Sequence, residues 1–271
     1  MTPTPYMLKS MAVKALKGNW QTALLVTFFA TSLLRAWSLV ADMILPMDFL
    51  VFLENNEAIF AWVEKAQALT LGQWLILQAL GTGAFLITPA LTLGANHYFI
   101  SRMNGVELGF TGLFSRMRCL GKAFLLNLYM GLKILAWSLL FIIPGVMAAI
   151  RYSMAPYYMA EDPSLSIRSA LEKSKLTMVG IKSNYFVLYL SFAGWVLVTL
   201  LIQALLLNTS FILSTIVYLF LSLFVSTYTN GAFAAFFLAV SNSSADDELE
   251  ESLNDEPATN LPDEENRKNQ P

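Results

Sequence analysis

The sequence predicts an all-α, polytopic helical membrane protein, and three observations carry that expectation. Of 271 residues, 56% are hydrophobic and only 13% are charged, where soluble chains carry about 25% charge. The stretch from Ala123 to Ala160 holds two charges, Lys133 and Arg151, on either side of a Pro144-Gly145 break. From Tyr185 to Val240 there is no charge at all. A helix rises about 1.5 Å per residue and the bilayer core is about 30 Å thick, so one span takes roughly 20 residues. Each of the two stretches is therefore long enough for two spans.

Taken in order, residues 1 to 19 place Lys9, Lys14 and Lys17 among Met, Leu and Ala residues, a pattern suited to the membrane surface or to a basic flank. The first span follows between Trp20 and Pro46, with Arg35 inside it. Its length and the lack of a small-residue cleavage site mark it as a retained anchor. Residues 47 to 70 carry four acids and a single cation, Lys65, and read as a short surface helix. The second span, about Leu71 to Ile100, contains Gly81, Gly83, Pro89 and Gly94, which permit close helix approach and a kink. A basic loop with Arg102, Arg116, Arg118 and Lys122 comes next. The Pro-Gly hairpin then supplies span three (about Ala123 to Phe141) and span four (about Ile142 to Ala160).

Residues 161 to 183 read as an amphipathic interfacial helix, with Asp162 as N-cap and Pro163 as its first residue. Two further spans fill residues 185 to 240, with Asn208-Thr209-Ser210 as the turn between them. The total is about six transmembrane helices in a domain of residues 1–240. Residues 241–271 hold ten acidic groups against Arg267 and Lys268, a net of −8 with few large apolar side chains. That composition predicts a disordered acidic cytoplasmic tail.

Counting cations orients the chain. With six spans and the N-terminus inside, eleven cations face the cytoplasm and one, Lys65, faces out. A single span over residues 123 to 160 would put Arg168, Lys173, Lys175 and Lys182 outside, against the positive-inside rule. Both termini are thus expected in the cytoplasm.

Intramembrane charge is costly, at least about 2.5–3.5 kcal/mol at mid-span on insertion scales. Arg35, Lys133 and Arg151 are accordingly the candidate intramembrane anion or lipid site. No carboxylate lies deep in any span to pair with them. Backbone carbonyls, Asn127, Gln78, Gln203, tyrosine hydroxyls, water or an anionic ligand must serve instead. The hairpin sets Lys133 and Arg151 on adjoining helices at depths about 8 Å apart, which makes a shared site the sharpest expectation. Arg168, Lys173, Ser174 and Lys175 form a candidate interfacial contact for lipid headgroups or a partner. One cysteine, Cys119, and one histidine, His97, supply neither a disulfide nor a metal cluster. Phosphate loops, dinucleotide fingerprints and paired catalytic carboxylates are absent from the sequence. No cofactor, no nucleic-acid partner and no enzymatic activity are expected.

The run IIPGVMAAIRYSMAPYYMAEDPSLSIRSALEKSKLTMVGIKSNYFVLYLSFAGW, Ile142 to Trp195, joins an opening LKGNW at Leu16 to Trp20 and an ITPALTLGANHYF segment before the basic loop. In combination, over roughly residues 9 to 240, these resemble the bacterial integral membrane proteins known as the domain of unknown function 975 family. The resemblance implies a membrane fold and a multi-pass place in the bacterial cytoplasmic (inner) membrane, and it implies no activity. The leading expectation is a non-enzymatic membrane-organising or interaction protein. Its partners would be the lipid bilayer, with anionic lipid, and a protein at the cytoplasmic face. The second is a small transporter or lipid-handling protein for an anionic substrate.

Overall fold

The computed structural model describes residues 4–44, 60, 63–64, 66–207 and 211–255. Its regular elements are helical, as the sequence predicts. In chain order they are α1 (Pro5–Leu16), α2 (Trp20–Ile44), α3 (Leu71–Met103), a 3₁₀ helix (Phe110–Cys119), α4 (Leu120–Leu140), α5 (Ile142–Tyr152), α6 (Ala155–Glu161), α7 (Ile167–Thr177), α8 (Lys182–Leu207) and α9 (Phe211–Asp255). The expected surface helix over 47–70, with Lys65, falls largely outside the described residues. So does the Asn208–Ser210 turn, although α8 ends and α9 begins on either side of it.

Four stretches among the described residues are long and apolar enough to cross a membrane: Leu71–Met103, Phe110–Leu140, Lys182–Leu206 and Leu213–Asn242. About six were expected, and these four fall on the expected second, third, fifth and sixth spans. Over the expected first span α2 is one continuous 25-residue helix, Trp20–Ile44, with Arg35 inside it. The expected fourth span is not one helix but two, α5 and α6, broken at Ser153–Met154.

Packing is uneven along the helices. The buried core is a base made of Leu8, Ala12 and Leu16 from α1, Tyr98 and Phe99 near the end of α3, Met154 and Met159 beside or within α6, and Phe236 and Phe237 of α9. Tyr157 and Tyr158 of α6 set their rings 5.5 and 4.9 Å from that of Phe237. Residues toward the middle of α4 and α8 turn leucines outward instead. Lipid is as apolar as leucine, so an outward leucine costs nothing in a bilayer. α1 carries both behaviours. Thr4 caps it by accepting from the Met7 N–H at 3.4 Å, its Leu8–Ala12–Leu16 stripe packs inward, and Met7, Met11 and Val13 face out.

The hairpin exists, but its turn is at Phe141 and not at Pro144-Gly145. Phe141 alone is extended (φ −159°, ψ 151°). Its N–H donates to the Trp137 carbonyl at 3.2 Å and its carbonyl accepts from Gly145 N–H at 3.3 Å. Pro144 sits in the first turn of α5, where its missing N–H would have had no helical partner anyway. Gly145 lies where α5 crosses α4, and a Cβ there would stand 2.9 Å from Ser138 Cα.

Two further expectations shift. Asp162 is not the N-cap of α7; it accepts from the hydroxyl of Ser164 at 2.6 Å and from its N–H at 2.9 Å. Those bonds hold its carboxyl below the usual range. Ser166 caps α7 by accepting from Ser169 N–H at 3.1 Å. The basic loop contains the 3₁₀ helix, whose Leu113 carbonyl abuts Gly94 of α3. At the far end, α9 continues past Val240 to Asp255, so residues 241–255 of the expected disordered tail are helical. Propagating an existing helix needs no new nucleus. Residues 256–271 lie outside the described set.

Gly94→Ala should lower stability by about 1–3 kcal/mol, since the added methyl must push the Leu113 backbone away from α3. Thermal unfolding in detergent would measure this; an unchanged midpoint would mean that α3 and the 3₁₀ helix do not meet there.

A cationic cleft at the mouth of the hairpin

The three intramembrane cations are not brought to one cavity. Arg35 on α2 donates through Nη1 to Ser222 Oγ on α9 at 3.1 Å, a structural pairing well removed from the hairpin in sequence. Lys133 and Arg151 both stand at the open end of the α4–α5 hairpin, yet they line different clefts. Tyr152 borders both clefts.

The larger cleft, about 560 Å³, lies between α4 and α7. Its α4 wall carries Leu125, Leu128, Tyr129, Leu132 and Lys133. The i, i+3, i+4 spacing puts these side chains on one helical face. Its α7 wall carries Ile167, Arg168, Leu171, Glu172 and Lys175. Among the described residues Lys133 makes no ion pair, although Glu172 lines the same cleft. The Lys133 Nζ lies instead 4.7 Å from the ring centre of Tyr129 and 5.2 Å from that of Tyr152. A cation over an aromatic face gains about 0.5–2 kcal/mol, which explains how this lysine is held without a carboxylate.

On α7, Arg168 Nε donates to Glu172 Oε1 at 3.0 Å, one turn away. That bond raises the guanidinium's pKa above its usual value, and exposure keeps the pair's energetic weight small. Glu172 is thus occupied by Arg168, and Lys133 and Lys175 remain the cleft's uncompensated charges. Leu125, Leu128 and Leu132 are all exposed, so an apolar strip runs out of the cleft along α4.

The smaller cleft, about 180 Å³, is bounded by Arg151, Lys182, Tyr152, Trp137, Pro144 and Met147. It adds two more cations to the hairpin's mouth and contains no carboxylate among its described lining residues.

Of the expected interfacial contacts, Arg168, Lys173 and Lys175 lie on α7 as anticipated, with Lys173 Nζ 5.9 Å from the ring centre of Tyr158. Ser174 does not face outward. It is fully buried, its hydroxyl donating to the Arg151 carbonyl at 2.8 Å and accepting from Met154 N–H at 3.2 Å. A helix register of α7 that turns Arg168, Lys175 and Glu172 toward the cleft and solvent turns Ser174 into the protein.

Arg116 and Lys122, read from sequence as orientation signals, also have contacts here. Arg116 donates to the Ala160 carbonyl at 2.8 Å and the Glu161 carbonyl at 3.4 Å, and sets Nη2 3.0 Å from His97 Nδ1. Lys122 donates to the Pro163 and Ser164 carbonyls at 3.0 and 3.4 Å. Both tie the end of α6 and the approach to α7 in place. Sequence reasoning named tyrosine hydroxyls as partners for these cations, where the structure offers tyrosine rings to Lys133, and it missed the leucines of the cleft. The Tyr129–Lys133 pair, one helical turn apart, was the available signal; Tyr152 required the fold.

Residues 139–244, from the end of α4 through most of α9, match the model of the family described as Protein of unknown function (DUF975). The resemblance read from the sequence holds over this region. No curated protein and no solved structure matches the chain.

Ser174→Ala should leave the Arg151 carbonyl and the Met154 N–H without their buried partner, at a cost of about 1–3 kcal/mol. A fall in the thermal midpoint in detergent is the expected result, whereas an exposed serine would give no change.

Proposed function

We propose that this is a non-enzymatic integral membrane protein of the bacterial cytoplasmic membrane that organises its surroundings by holding the headgroup of an anionic lipid in the α4–α7 cleft. The observation that carries this reading is the union, in one cleft, of uncompensated Lys133 and Lys175 with the exposed Leu125–Leu128–Leu132 strip. A free phosphate would use only the cations. A lipid would use both, its phosphate between the two lysines and an acyl chain along the leucines. Ammonium groups bind phosphate as point charges and tolerate varied headgroups, so the reading names a charge class and not one lipid.

The same reading keeps both termini and α7 in the cytoplasm. Its support is the clustering of Arg102, Arg116, Arg118, Lys122, Arg168, Lys173 and Lys175 on the chain segments that join or flank the base. In a variant lacking Cys119, single cysteines at positions 57, 106, 172 and 250 test the orientation in intact cells. Only position 57 should react with a membrane-impermeant thiol reagent; reaction at 172 would refute the assignment.

Replacing Lys133 and Lys175 together with Met keeps side-chain length and removes both charges. The double variant should fold and lose at least about tenfold of the anionic lipid that co-purifies with the protein, as read by mass spectrometry. The anchoring tyrosines remain, so the thermal midpoint should fall little. Unchanged lipid in a folded variant would refute the headgroup site.

A further inference from the structure

We infer that a second cleft, formed by α2, α3 and α4, binds a neutral lipid carrying a free hydroxyl, of the diacylglycerol class, and that Asn127 recognises the hydroxyl. This site is distinct from the cationic cleft, with which it shares only Leu128 and Leu132 on α4. It stands whether or not an anionic headgroup is held there.

The first observation is an amide without a partner. Asn127 lies on α4 within the apolar Phe110–Leu140 stretch and lines a cleft of about 370 Å³. Among the described residues its carboxamide makes no hydrogen bond. Water would satisfy such a group, but hydrocarbon supplies neither donors nor acceptors, and an amide left alone there is costly. An occupant that both donates and accepts removes that cost.

The second observation lies across the cleft on α3. Pro89 has no N–H, so the Phe85 carbonyl one turn earlier lacks its regular helical partner. Phe85, Thr88 and Pro89 all line the cleft, which makes this irregular turn part of its wall. Thr88 directs its hydroxyl proton to the Ala84 carbonyl at 2.7 Å. Its oxygen is left to accept. The polar groups of the cleft are thus neutral: an amide that donates and accepts on α4, and acceptor oxygens in the irregular turn of α3.

Charge and shape set the class of ligand. No Lys, Arg, Asp or Glu is among the described lining residues, so an anionic headgroup would find no counter-charge. The rest of the wall is apolar. Phe85 and Phe124 meet edge to face with ring centres 5.4 Å apart, joining α3 to α4, and Leu128, Leu132 and Leu135 stand exposed along α4. A lipid hydroxyl can donate to the Asn127 carbonyl while an ester carbonyl accepts from the amide nitrogen, with the acyl chains against the leucines. A helix from a second copy fits less well. Close helix approach in a bilayer relies on small residues one turn apart, and the residues at that spacing from Gly131 are Asn127 and Leu135. A Cβ at Gly131 would meet nothing within 4 Å, so the space beside it is open.

Competition in a neutral bilayer tests the inference. The full-length protein is placed in phosphatidylcholine nanodiscs with equal amounts of dioleoylglycerol and its methyl ether, and the bound lipid is read by mass spectrometry of the intact complex. The ether lacks the hydroxyl proton. The unsubstituted protein should favour the alcohol about three- to tenfold, the effect of one net hydrogen bond. Asn127→Leu should abolish that preference, and Gly131→Leu, which fills the cleft, should lower the binding of both lipids. Equal capture of alcohol and ether by the unsubstituted protein overturns the inference, as does a preference that survives Asn127→Leu. So does a dimer that Asn127→Leu converts to a monomer, because the amide would then face a second copy. Lys133→Met combined with Lys175→Met should leave the preference for the alcohol unchanged, which keeps a failure of the headgroup site apart from a failure of this one.

Discussion

One hydroxyl fixes the part of the molecule on which the site depends. Ser174 Oγ accepts from Met154 N–H and donates to the Arg151 carbonyl, filling the gap left where α5 and α6 part. A buried helix break is costly because its amides and carbonyls have no water to turn to. A side chain that serves one donor and one acceptor together makes this break tolerable. Three consequences follow from its position on α7. α5 stops after 11 residues, α6 is free to turn into the base, and α7 is held beside the mouth of the hairpin. Together with the Arg116 and Lys122 bonds to the carbonyls at 160–164, that contact sets where α7 stands beside the hairpin.

Packing follows the solvent each part meets. In the Leu213–Asn242 stretch 56% of the most apolar window is buried inside the protein, against 11% for Phe110–Leu140. α9 is the column around which α1, α8 and the end of α3 gather, while α4 stands at the periphery. That contrast would be destabilising in water, where exposed leucine surface costs about 25 cal/mol per Å². In lipid it carries no penalty, because packing and polar pairing, not hiding from solvent, decide which helix faces are inside. The polar pairing sits in the base, where Arg116 and Lys122 serve carbonyl groups at the end of α6 and before α7.

Composition and charge spacing made the helical membrane class, the hairpin and the basic segments legible. They work because hydrocarbon imposes a single demand over long stretches of chain. The Pro-Gly pair was misplaced by three residues. In water-exposed loops proline and glycine mark the turn itself, but here proline starts a helix and glycine permits its close crossing with α4. Asp162-Pro163 misled in the same way, since Asp162 binds Ser164 two residues on and leaves the cap to Ser166. Ser174 was read with its charged neighbours Lys173 and Lys175 because helix register cannot be set from a short run of polar residues. The fourth span looked continuous because apolar composition alone does not record a break that a side chain from another helix repairs.

The chain also shows how a membrane protein can hold cations without neutralising them. The ion pairs of the described residues are Arg102–Glu107 and Arg168–Glu172, each with an exposed carboxylate. Elsewhere the partners are neutral. Arg35 has the Ser222 hydroxyl, Lys133 has two tyrosine rings, and Lys9 has the Ser191 carbonyl with the ring of Phe192. Arg116 and Lys122 have backbone carbonyls. A carboxylate in any of these places would stabilise the cation and cancel its charge together. Dipoles and π-faces stabilise it and leave the charge in place, which preserves a positive potential around these side chains. The tyrosine cradle of Lys133 is the clearest instance: it keeps an ammonium at the hairpin's mouth while leaving the charge available to an anion.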